Sequence, residues 1–116
     1  MKISRFEDII AWQKSKIMTV KIYALFGTSK DYGFRDQIQR ASISIMNNIA
    51  EGFERKSTKE FKHFLSVAKG SCGEVRSMLI LAQDLKIISN NDFIELHAIS
   101  EEISQILSGL MKSLRV

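Results

Sequence analysis

The spacing of apolar residues between positions 61 and 82 constrains the fold of this chain more than any other feature. Apolar side chains recur there at alternating intervals of four and three residues, which places them on one face of an α-helix. The series consists of Phe61, Leu65, Ala68, Cys72, Val75, Leu79 and Ala82. Ahead of it, Ser57 and Glu60 form a capping box that marks a helix start. The pattern predicts a long, straight helix over residues 58–88, roughly 45 Å in length.

Three further segments show helical spacing, and they predict helices over residues 5–26, 33–55 and 91–114. The first is expected to begin at Ser4, which can form a second capping box with Glu7. Its predicted inward face consists of Phe6, Ile10, Ile17, Val20 and Ala24. The predicted inward face of the second helix consists of Phe34, Ile38, Ala41, Ile45 and Ile49. The predicted inward face of the last helix consists of Leu96, Ile99, Ile103, Ile106 and Leu110.

The joints between these helices are short, and the chain contains no proline to interrupt a helix. Joints of about three to five residues make consecutive helices antiparallel neighbours. The predicted fold is all-α: an up-down-up-down antiparallel four-helix bundle that forms a single domain over residues 1–116. One modest core is enough at this length, because such a domain buries roughly two-thirds of the surface of its unfolded chain.

The composition argues against several classes of protein. Hydrophobic residues make up 45% of the chain and charged residues 26%, proportions that disfavour both disorder and a membrane protein. A single cysteine, Cys72, rules out an internal disulfide and suits a reducing compartment. The amino-terminal residues lack the apolar core and cleavage site of a secretory signal, and no stretch reaches the roughly 20 apolar residues that span a bilayer. A cytoplasmic protein without membrane contact is therefore expected.

No combination of residues indicates a catalytic, metal or cofactor site. Cys72 lies on the apolar face of the third helix, where a buried and inert thiol is expected. His63 and His97 have no partner at metal-ligand spacing. Neither a phosphate-binding glycine loop nor a Ser/His/Asp arrangement is present. The sequence therefore predicts a protein that is not an enzyme and that binds no metal or cofactor.

Basic residues on the third helix are candidates for nucleic-acid binding. They are Lys59, Lys62, Lys69 and Arg76, of which the last three recur every seven residues. Such a row can neutralise successive phosphates. Lys14 and Lys21 repeat the spacing on the first helix. A solvated helix face explains the same pattern, and no aromatic side chains alternate with the row to stack on bases.

The segment RASISIMNNIAEGFER, residues 40–55, brings polar residues to the border of the second helix's apolar face. The polar residues at or near this border are Gln37, Arg40, Ser44, Asn48, Glu51 and Arg55. They need hydrogen-bond partners there, because an unsatisfied buried polar group costs about 1 to 3 kcal/mol. Either they satisfy one another within one chain, or a neighbouring copy supplies the partners and sets the register. The spacing leaves both alternatives open.

Small residues interrupt the third helix. Gly70 costs about 1 kcal/mol relative to alanine inside a helix, and Ser71 and Gly73 keep the surface beside it small. The sequence therefore predicts that another helix packs closely against Gly70 and Ser71, either within the bundle or in another copy of the chain.

These positions also resemble a known family. The matching residues are Gln37, Arg40, Ala41, Ser44, Ile45, the run 48–53, Arg55, Glu60, Phe61, Phe64, Leu65, Ala68, Gly70, Ser71 and Glu74. They resemble the four-helix-bundle proteins encoded in intervening sequences of bacterial 23S rRNA genes. The resemblance implies a small homo-oligomer, typically a ring of five bundles, without established enzymatic activity. It also implies a fold similar to that of the accessory variability protein of diversity-generating retroelements, a basic pentamer that engages nucleic acid.

Three hypotheses about function follow, of which the least favoured is an enzyme that uses Glu51 or Glu74 as an acid or base. The first is a non-enzymatic bundle that assembles with copies of itself into a ring, expected to be a homopentamer. The alternative is an oligomeric accessory factor that binds structured RNA or DNA through its basic residues. The family commonly has a kinking proline where this chain has Met46, so a straighter second helix is expected.

Overall fold

Four α-helices and one short 3-10 helix make up the regular structure of the computed structural model, which describes residues 3–115. The 3-10 helix spans Phe6–Asp8. The α-helices are α1 (Ile10–Phe26), α2 (Tyr32–Phe53), α3 (Thr58–Asp84) and α4 (Asn90–Ser113). The predicted domain limits, residues 1 and 116, lie outside the described residues.

The four helices pack as an antiparallel bundle, which confirms the predicted fold class. α2 packs against α1 and α3, α4 packs against the same two helices, and the pairs α1–α3 and α2–α4 are the diagonals. The joints, residues 27–31, 54–57 and 85–89, are short enough to make consecutive helices antiparallel. The bundle is elongated, with dimensions of 43 × 22 × 19 Å. Within residues 3–115, no helix has the length and apolar character needed to cross a membrane.

Side chains ahead of three helices hold their first turns. The predicted cap of α3 is present: Ser57 Oγ accepts from the Glu60 N–H at 3.1 Å and donates to the Glu60 carboxylate at 3.1 Å. Asp31 and Ser89 likewise accept from backbone N–H groups three residues on, at 3.2 and 3.1 Å. Caps of this kind contribute about 1 kcal/mol each.

The predicted start of α1 at Ser4 is wrong. Phe6–Asp8 form a single 3-10 turn, Ile9 is extended (φ −77°, ψ 120°), and the α-helix begins at Ile10 without a side-chain cap. Ile9 is buried. The chain therefore turns at this point to place the Ile9 side chain in the core before the helix begins.

The predicted inward face of α1 is also wrong. The residues that α1 buries are Ala11, Ser15, Met18, Thr19, Ile22 and Phe26. The predicted residues that lie within α1 face solvent instead, since Ile10 and Ile17 are each 52% exposed, Val20 is 62% exposed and Ala24 is exposed. The reason is that α1 is apolar on both sides, so either face satisfies a spacing of three and four residues. Phe6, ahead of α1, does pack against the core as predicted.

The inward faces of the other helices are confirmed. All five predicted residues of α2 are buried, and α3 buries its whole predicted series except Phe61, which is half-buried. In α4, Leu96 and Ile103 are fully buried, and the other predicted residues pack at the edge of the core. The result is one apolar core along the axis of the bundle.

α3 ends at Asp84, four residues before its predicted end. Lys86 adopts a left-handed conformation (φ 60°), and the N–H of Ile87 donates to the carbonyl of Ala82 at 3.0 Å. This is the bonding pattern that commonly closes the last turn of a helix. It turns the chain back toward α4.

Candidate functional site

A line of polar side chains runs along the contact between α2 and α3. At its centre, the hydroxyl oxygens of Ser44 and Ser71 are 2.8 Å apart. The Asn48 amide donates to the Ser44 carbonyl at 2.7 Å and to the Ser44 hydroxyl at 3.0 Å. Toward one end, the Gln37 amide donates to the Glu74 carboxylate. Side-chain hydrogen bonds therefore join α2 to α3 beside the apolar core.

The other end of this line is formed around Arg55. Its guanidinium pairs with Glu51 at 3.2 Å and with Glu60 at 3.8 Å, and it lies 4.9 Å from the ring centre of Phe64. Exposed ion pairs of this kind are worth about 0 to 1 kcal/mol each. Arg40 is exposed, and within residues 3–115 it has no ion-pair partner.

The polar line is thus bonded within one copy of the chain, apart from Arg40. Among the described residues, every buried side-chain polar atom has a hydrogen-bond partner. The alternative that a neighbouring copy supplies the partners stays a prediction, and Arg40 is the basic member of the line that has no ion-pair partner within residues 3–115 to give up for such a contact.

Gly52 lets α2 and α3 approach each other, a role that was not predicted from the sequence. A Cβ atom at this position would lie 2.5 Å from the Cβ of Phe64 and 3.1 Å from the ring of Phe61. Glycine is required because the side chains of α3 pack against the backbone of α2 here. The spacing of residues in α2 could have predicted this role, because Gly52 follows Ile45 and Ile49 at helical intervals and therefore lies on the buried face.

Gly70 makes no comparable contact. No neighbouring atom lies within 4 Å of the position that a Cβ would take, and Gly70 is exposed on the outer side of α3. The predicted close packing at Gly70 therefore does not occur within the chain, whereas Ser71 does meet α2 through Ser44. Packing of Gly70 against another copy stays a prediction.

The two candidate lysines of α1 lie against carboxylates of α4. Lys14 pairs with Glu102 at 3.0 Å, and Lys21 pairs with Glu95. Each pair cancels the charge that the lysine would offer to a phosphate. These two lysines are therefore poor candidates for a nucleic-acid contact in this conformation.

The candidate basic residues of α3 do not form one continuous row. Lys62 and Lys69 are exposed, and within residues 3–115 neither has an ion-pair partner. Arg76 is half-buried and lines a small depression together with Glu101 of α4. Lys59 is exposed but lies about 60° around the helix from Lys62. The uncancelled part of the row is centred on Lys62 and Lys69.

Cys72 is enclosed in the core. Its thiol donates to the Ser100 carbonyl at 3.1 Å. Burial raises the pKa of Cys72 from 9.0 to about 11, against a smaller opposite effect of the Arg76 charge. The thiol therefore stays protonated at neutral pH, where a nucleophile would need the thiolate. Within residues 3–115, no group of three or more His, Cys, Asp and Glu side chains is placed to hold a metal ion.

A face of α1 that is largely apolar points directly away from the core, and we call it the α1 outer face. It consists of Ile10, Gln13, Ile17, Val20 and Ala24. The other three α-helices have a polar outer side and an apolar inner side, whereas α1 is apolar on both. An exposed apolar face that points away from its own core typically marks a surface that another molecule covers.

A second apolar surface lies at the end of the bundle where α4 finishes. A hollow of about 400 Å³ is lined there by Ile3, Phe53, Phe61, Leu110, Ser113 and Leu114. Its lining holds one hydroxyl and no ionisable side chain among the described residues. Such a hollow can accept an apolar group, but it has no charged group with which to orient a polar substrate.

The fold and these surfaces define a small all-α bundle with a polar line between two of its own helices. Residues 7–109 match the 23S rRNA-intervening sequence protein family, and the chain belongs to that family.

A solved relative has the same fold. It is a protein with unknown function from the S23 ribosomal protein family, from Bacteroides thetaiotaomicron. The TM-score is 0.83 at 25% sequence identity, and the match covers 89% of this chain and 99% of that chain. No curated protein matches the chain. These comparisons do not bear on the expected likeness to the retroelement accessory protein, which stays a prediction.

Proposed function

We propose that this protein is a non-enzymatic building block that assembles with copies of itself into a ring, with five copies as the expected number. The observation that carries the proposal is the α1 outer face, where Ile10, Ile17 and Val20 each expose more than half of their surface. The family resemblance supports a ring and the number of copies in it. The exposed apolar face of α1 supports self-assembly.

Burial of this face gives a driving force of a useful size. Full burial of a valine or isoleucine side chain contributes roughly 1.5 to 3 kcal/mol. Because the three residues are already half-buried, the face supplies roughly 2 to 5 kcal/mol per contact. Association costs about 4 kcal/mol or more in lost translational and rotational freedom. A stable assembly therefore also needs apolar surface from the partner, and a ring gives each copy two such contacts.

Three features support a role without catalysis. The Cys72 thiol is enclosed and protonated at neutral pH. The polar side chains between α2 and α3 are engaged with one another. The hollow at the end of the bundle is lined almost entirely by apolar side chains. Each feature gives a structural account of residues that would otherwise be candidates for chemistry.

The mass of the full chain in solution tests the proposal. One copy has a mass of 13.2 kDa. Sedimentation at micromolar concentrations should give one species at a whole multiple of that mass, and a fivefold multiple is expected. A protein that stays monomeric over this range contradicts the proposal. A different whole multiple would keep the self-assembly and correct the number of copies.

Nucleic-acid binding is a second candidate function, and the exposure of Lys62 and Lys69 favours it. Neither lysine has a carboxylate partner within residues 3–115, and a ring would repeat the pair once in every copy. Each phosphate that a lysine neutralises adds about 0.9 to the slope of log affinity against log salt for duplex DNA. A weak site in one copy can therefore become a salt-sensitive site in the assembly.

A charge-matched pair of variants tests this second function. Lys62→Gln with Lys69→Gln should weaken binding of structured RNA and duplex DNA and should flatten the salt dependence. Lys30→Gln with Lys112→Gln removes the same charge from exposed positions elsewhere and should have the smaller effect. Equal losses of binding in the two variants would mean that binding depends on the net charge of the protein and not on Lys62 and Lys69 in particular. If the unaltered protein binds neither nucleic acid at low salt, this function is excluded.

A further inference from the structure

α3 carries an exposed face with the same spacing as the α1 outer face. The residues of the α1 outer face follow at intervals of three, four, three and four. Residues at the same intervals form what we call the α3 outer face: Val67, Gly70, Glu74, Ser77 and Leu81. Val67 is 40% exposed, Leu81 is 47% exposed, and the other three are exposed as well. Alternating intervals of three and four residues are those at which two helices interlock in a coiled coil.

The two faces are placed for a contact between unlike sides of two copies. α1 and α3 are diagonal in the bundle, and both outer faces turn away from the core, so the faces lie on opposite sides of the molecule. α1 and α3 also run in the same direction, because each is an antiparallel neighbour of α2. Each face extends over about four helical turns, or about 21 Å. The faces therefore match in length as well as in spacing.

The shapes of the two faces are complementary in part: aligning their intervals places Val20 opposite Ser77 and Ala24 opposite Leu81, and it places Ile17 opposite Glu74. The α1 outer face presents the bulky side chains of Ile10, Ile17 and Val20. The α3 outer face is low at Gly70, which has open space around it, and at Ser77, which is small. Large side chains opposite small ones allow two helices to interdigitate at close range. This contact also gives Gly70 the close neighbour that its own bundle does not supply.

The charges favour the pairing of unlike faces over the pairing of two α1 faces. α1 contains Lys14, Lys16 and Lys21 and no acidic residue, so two copies of α1 brought together set lysines against lysines. The α3 outer face has the carboxylate of Glu74 at its centre. Lys69 lies about 80° around α3 from Ser77 and about 100° or more from the other residues of that face. Lys16, exposed beside the α1 outer face, is therefore placed to face the opposite charge of Glu74 when the two faces are aligned.

We infer that the α1 outer face of one copy packs against the α3 outer face of the next copy, with the two helices parallel. This inference rests on the proposed self-assembly and names the surfaces through which it occurs. A contact between unlike faces repeats from one copy to the next; it closes into a ring where the rotation between successive copies brings the last copy back to the first, and otherwise gives an open filament. A two-fold contact of α1 with α1 stops instead at a dimer.

Cysteine cross-linking in the full chain tests the pairing. One variant carries Ile17→Cys, a second carries Ser77→Cys, and a third carries both; a short bifunctional maleimide then links thiols that lie close together. Cys72 adds no background, because its thiol is buried and protonated. The double variant should give a ladder of covalent oligomers that ends at the ring size. Each single variant should run as a monomer under denaturing conditions, and the two single variants assembled together should give covalent dimers.

Other results overturn the inference in distinguishable ways. Covalent dimers from Ile17→Cys alone indicate the two-fold contact between α1 helices. Gly70→Cys or Glu74→Cys in place of Ser77→Cys covers the neighbouring registers. If all three double variants stay unlinked while the unaltered protein has the mass of an oligomer, the pairing is wrong and the proposed self-assembly stands. A monomeric mass for the unaltered protein contradicts both the inferred pairing and the proposed self-assembly.

A second pair of variants tests the groove at Gly70. Gly70→Leu fills it and should raise the concentration of half-assembly about tenfold or more, equivalent to ~1.4 kcal/mol. Ala98→Leu, at an exposed position of α4 outside both outer faces, is the control. Leucine is a better helix former than glycine and nearly as good a one as alanine, so folding is retained in both variants. Equal shifts at the two positions, or no shift at Gly70, contradict the inferred contact.

Discussion

At the scale of single residues, two glycines of this protein have opposite surroundings: one is tightly packed and the other has open space around it. At Gly52 the backbone of α2 packs directly against Phe61 and Phe64 of α3, whereas Gly70 faces open space on α3. Alanine is favoured over glycine inside a helix by about 1 kcal/mol. The surroundings of each glycine therefore decide the sign of a substitution, because the change in helix propensity is the same for both.

Gly52→Ala should destabilise the protein by about 1 to 3 kcal/mol, the usual cost of overpacking a core. The reason is that the added Cβ would fall 2.5 Å from the Cβ of Phe64. Gly70→Ala should stabilise the monomeric chain by up to about 1 kcal/mol. Urea unfolding followed by circular dichroism measures both, provided that the two variants are compared in the same assembly state. An increase in stability on Gly52→Ala would mean that α2 and α3 are further apart than described.

Cys72 should couple stability to pH in the alkaline range. Burial raises its pKa from 9.0 to about 11, so between these values the unfolded chain releases the thiol proton and the folded chain keeps it. The contribution of this group is complete below pH 9 and is lost as the pH rises toward 11, by on the order of 2 to 3 kcal/mol. The free energy of unfolding, compared between the unaltered protein and Cys72→Ala, measures the loss. A difference that stays constant with pH contradicts the burial of the thiol.

At the scale of the helices, the sequence predicted the fold where each helix has one apolar side. The buried series of α3 and its cap at Ser57 followed from spacing alone. In α1 the same reasoning chose the outer side, because the face that turns inward is decided by packing against α2. The Thr19 hydroxyl bonds to the Ser15 carbonyl at 2.8 Å and to the Ser42 carbonyl of α2 at 3.3 Å. Such a contact is not visible in the spacing of α1 itself.

The polar line between α2 and α3 was predicted in part for a related reason. Spacing placed Ser44 and Asn48 at the border of the apolar face, where the structure has them. Their partner Ser71 depends on how far α3 slides along α2. The close approach of Gly52 to Phe64 is one of the contacts made in that register. A contact between two helices cannot be read from the period of either one.

Ile17→Lys should dissociate the assembly without unfolding the bundle, since Ile17 is half-exposed in the single copy. Ile94→Lys on α4 is the matched control, because Ile94 is 63% exposed and lies outside both outer faces. Sedimentation should give the mass of a monomer for the first variant and the unaltered mass for the second. Circular dichroism should give the same helical content for both. If Ile94→Lys dissociates the assembly equally, the interface extends beyond the α1 and α3 outer faces.

At the scale of the whole molecule, acidic and basic side chains lie on different sides of α3, and each side suits a different proposed contact. The α3 outer face, with Glu74, is the surface inferred to receive the next copy, whereas Lys62 and Lys69 project from another side of the same helix. A ring built through the outer faces leaves these lysines uncovered and repeats them around its circumference. Self-assembly and nucleic-acid binding are therefore compatible, and the second function would depend on the first through the repetition of charge.

An exchange of charges tests whether Lys16 of one copy meets Glu74 of the next. Lys16→Glu and Glu74→Lys each set like charges together and should weaken assembly, whereas the double variant restores opposite charges and should recover part of the loss. The coupling between the two changes is the decisive quantity, because Glu74 also accepts a hydrogen bond from Gln37 of its own chain.

The coupling should be small and sensitive to salt. Exposed ion pairs contribute about 0.2 to 1 kcal/mol, so the recovery should be at most about fivefold in the concentration of half-assembly. It should shrink as ionic strength rises, because salt screens exposed charges. Concentration series at low and high salt measure both effects by sedimentation. A double variant that assembles no better at low salt than the weaker single variant shows that these two side chains do not meet across the contact.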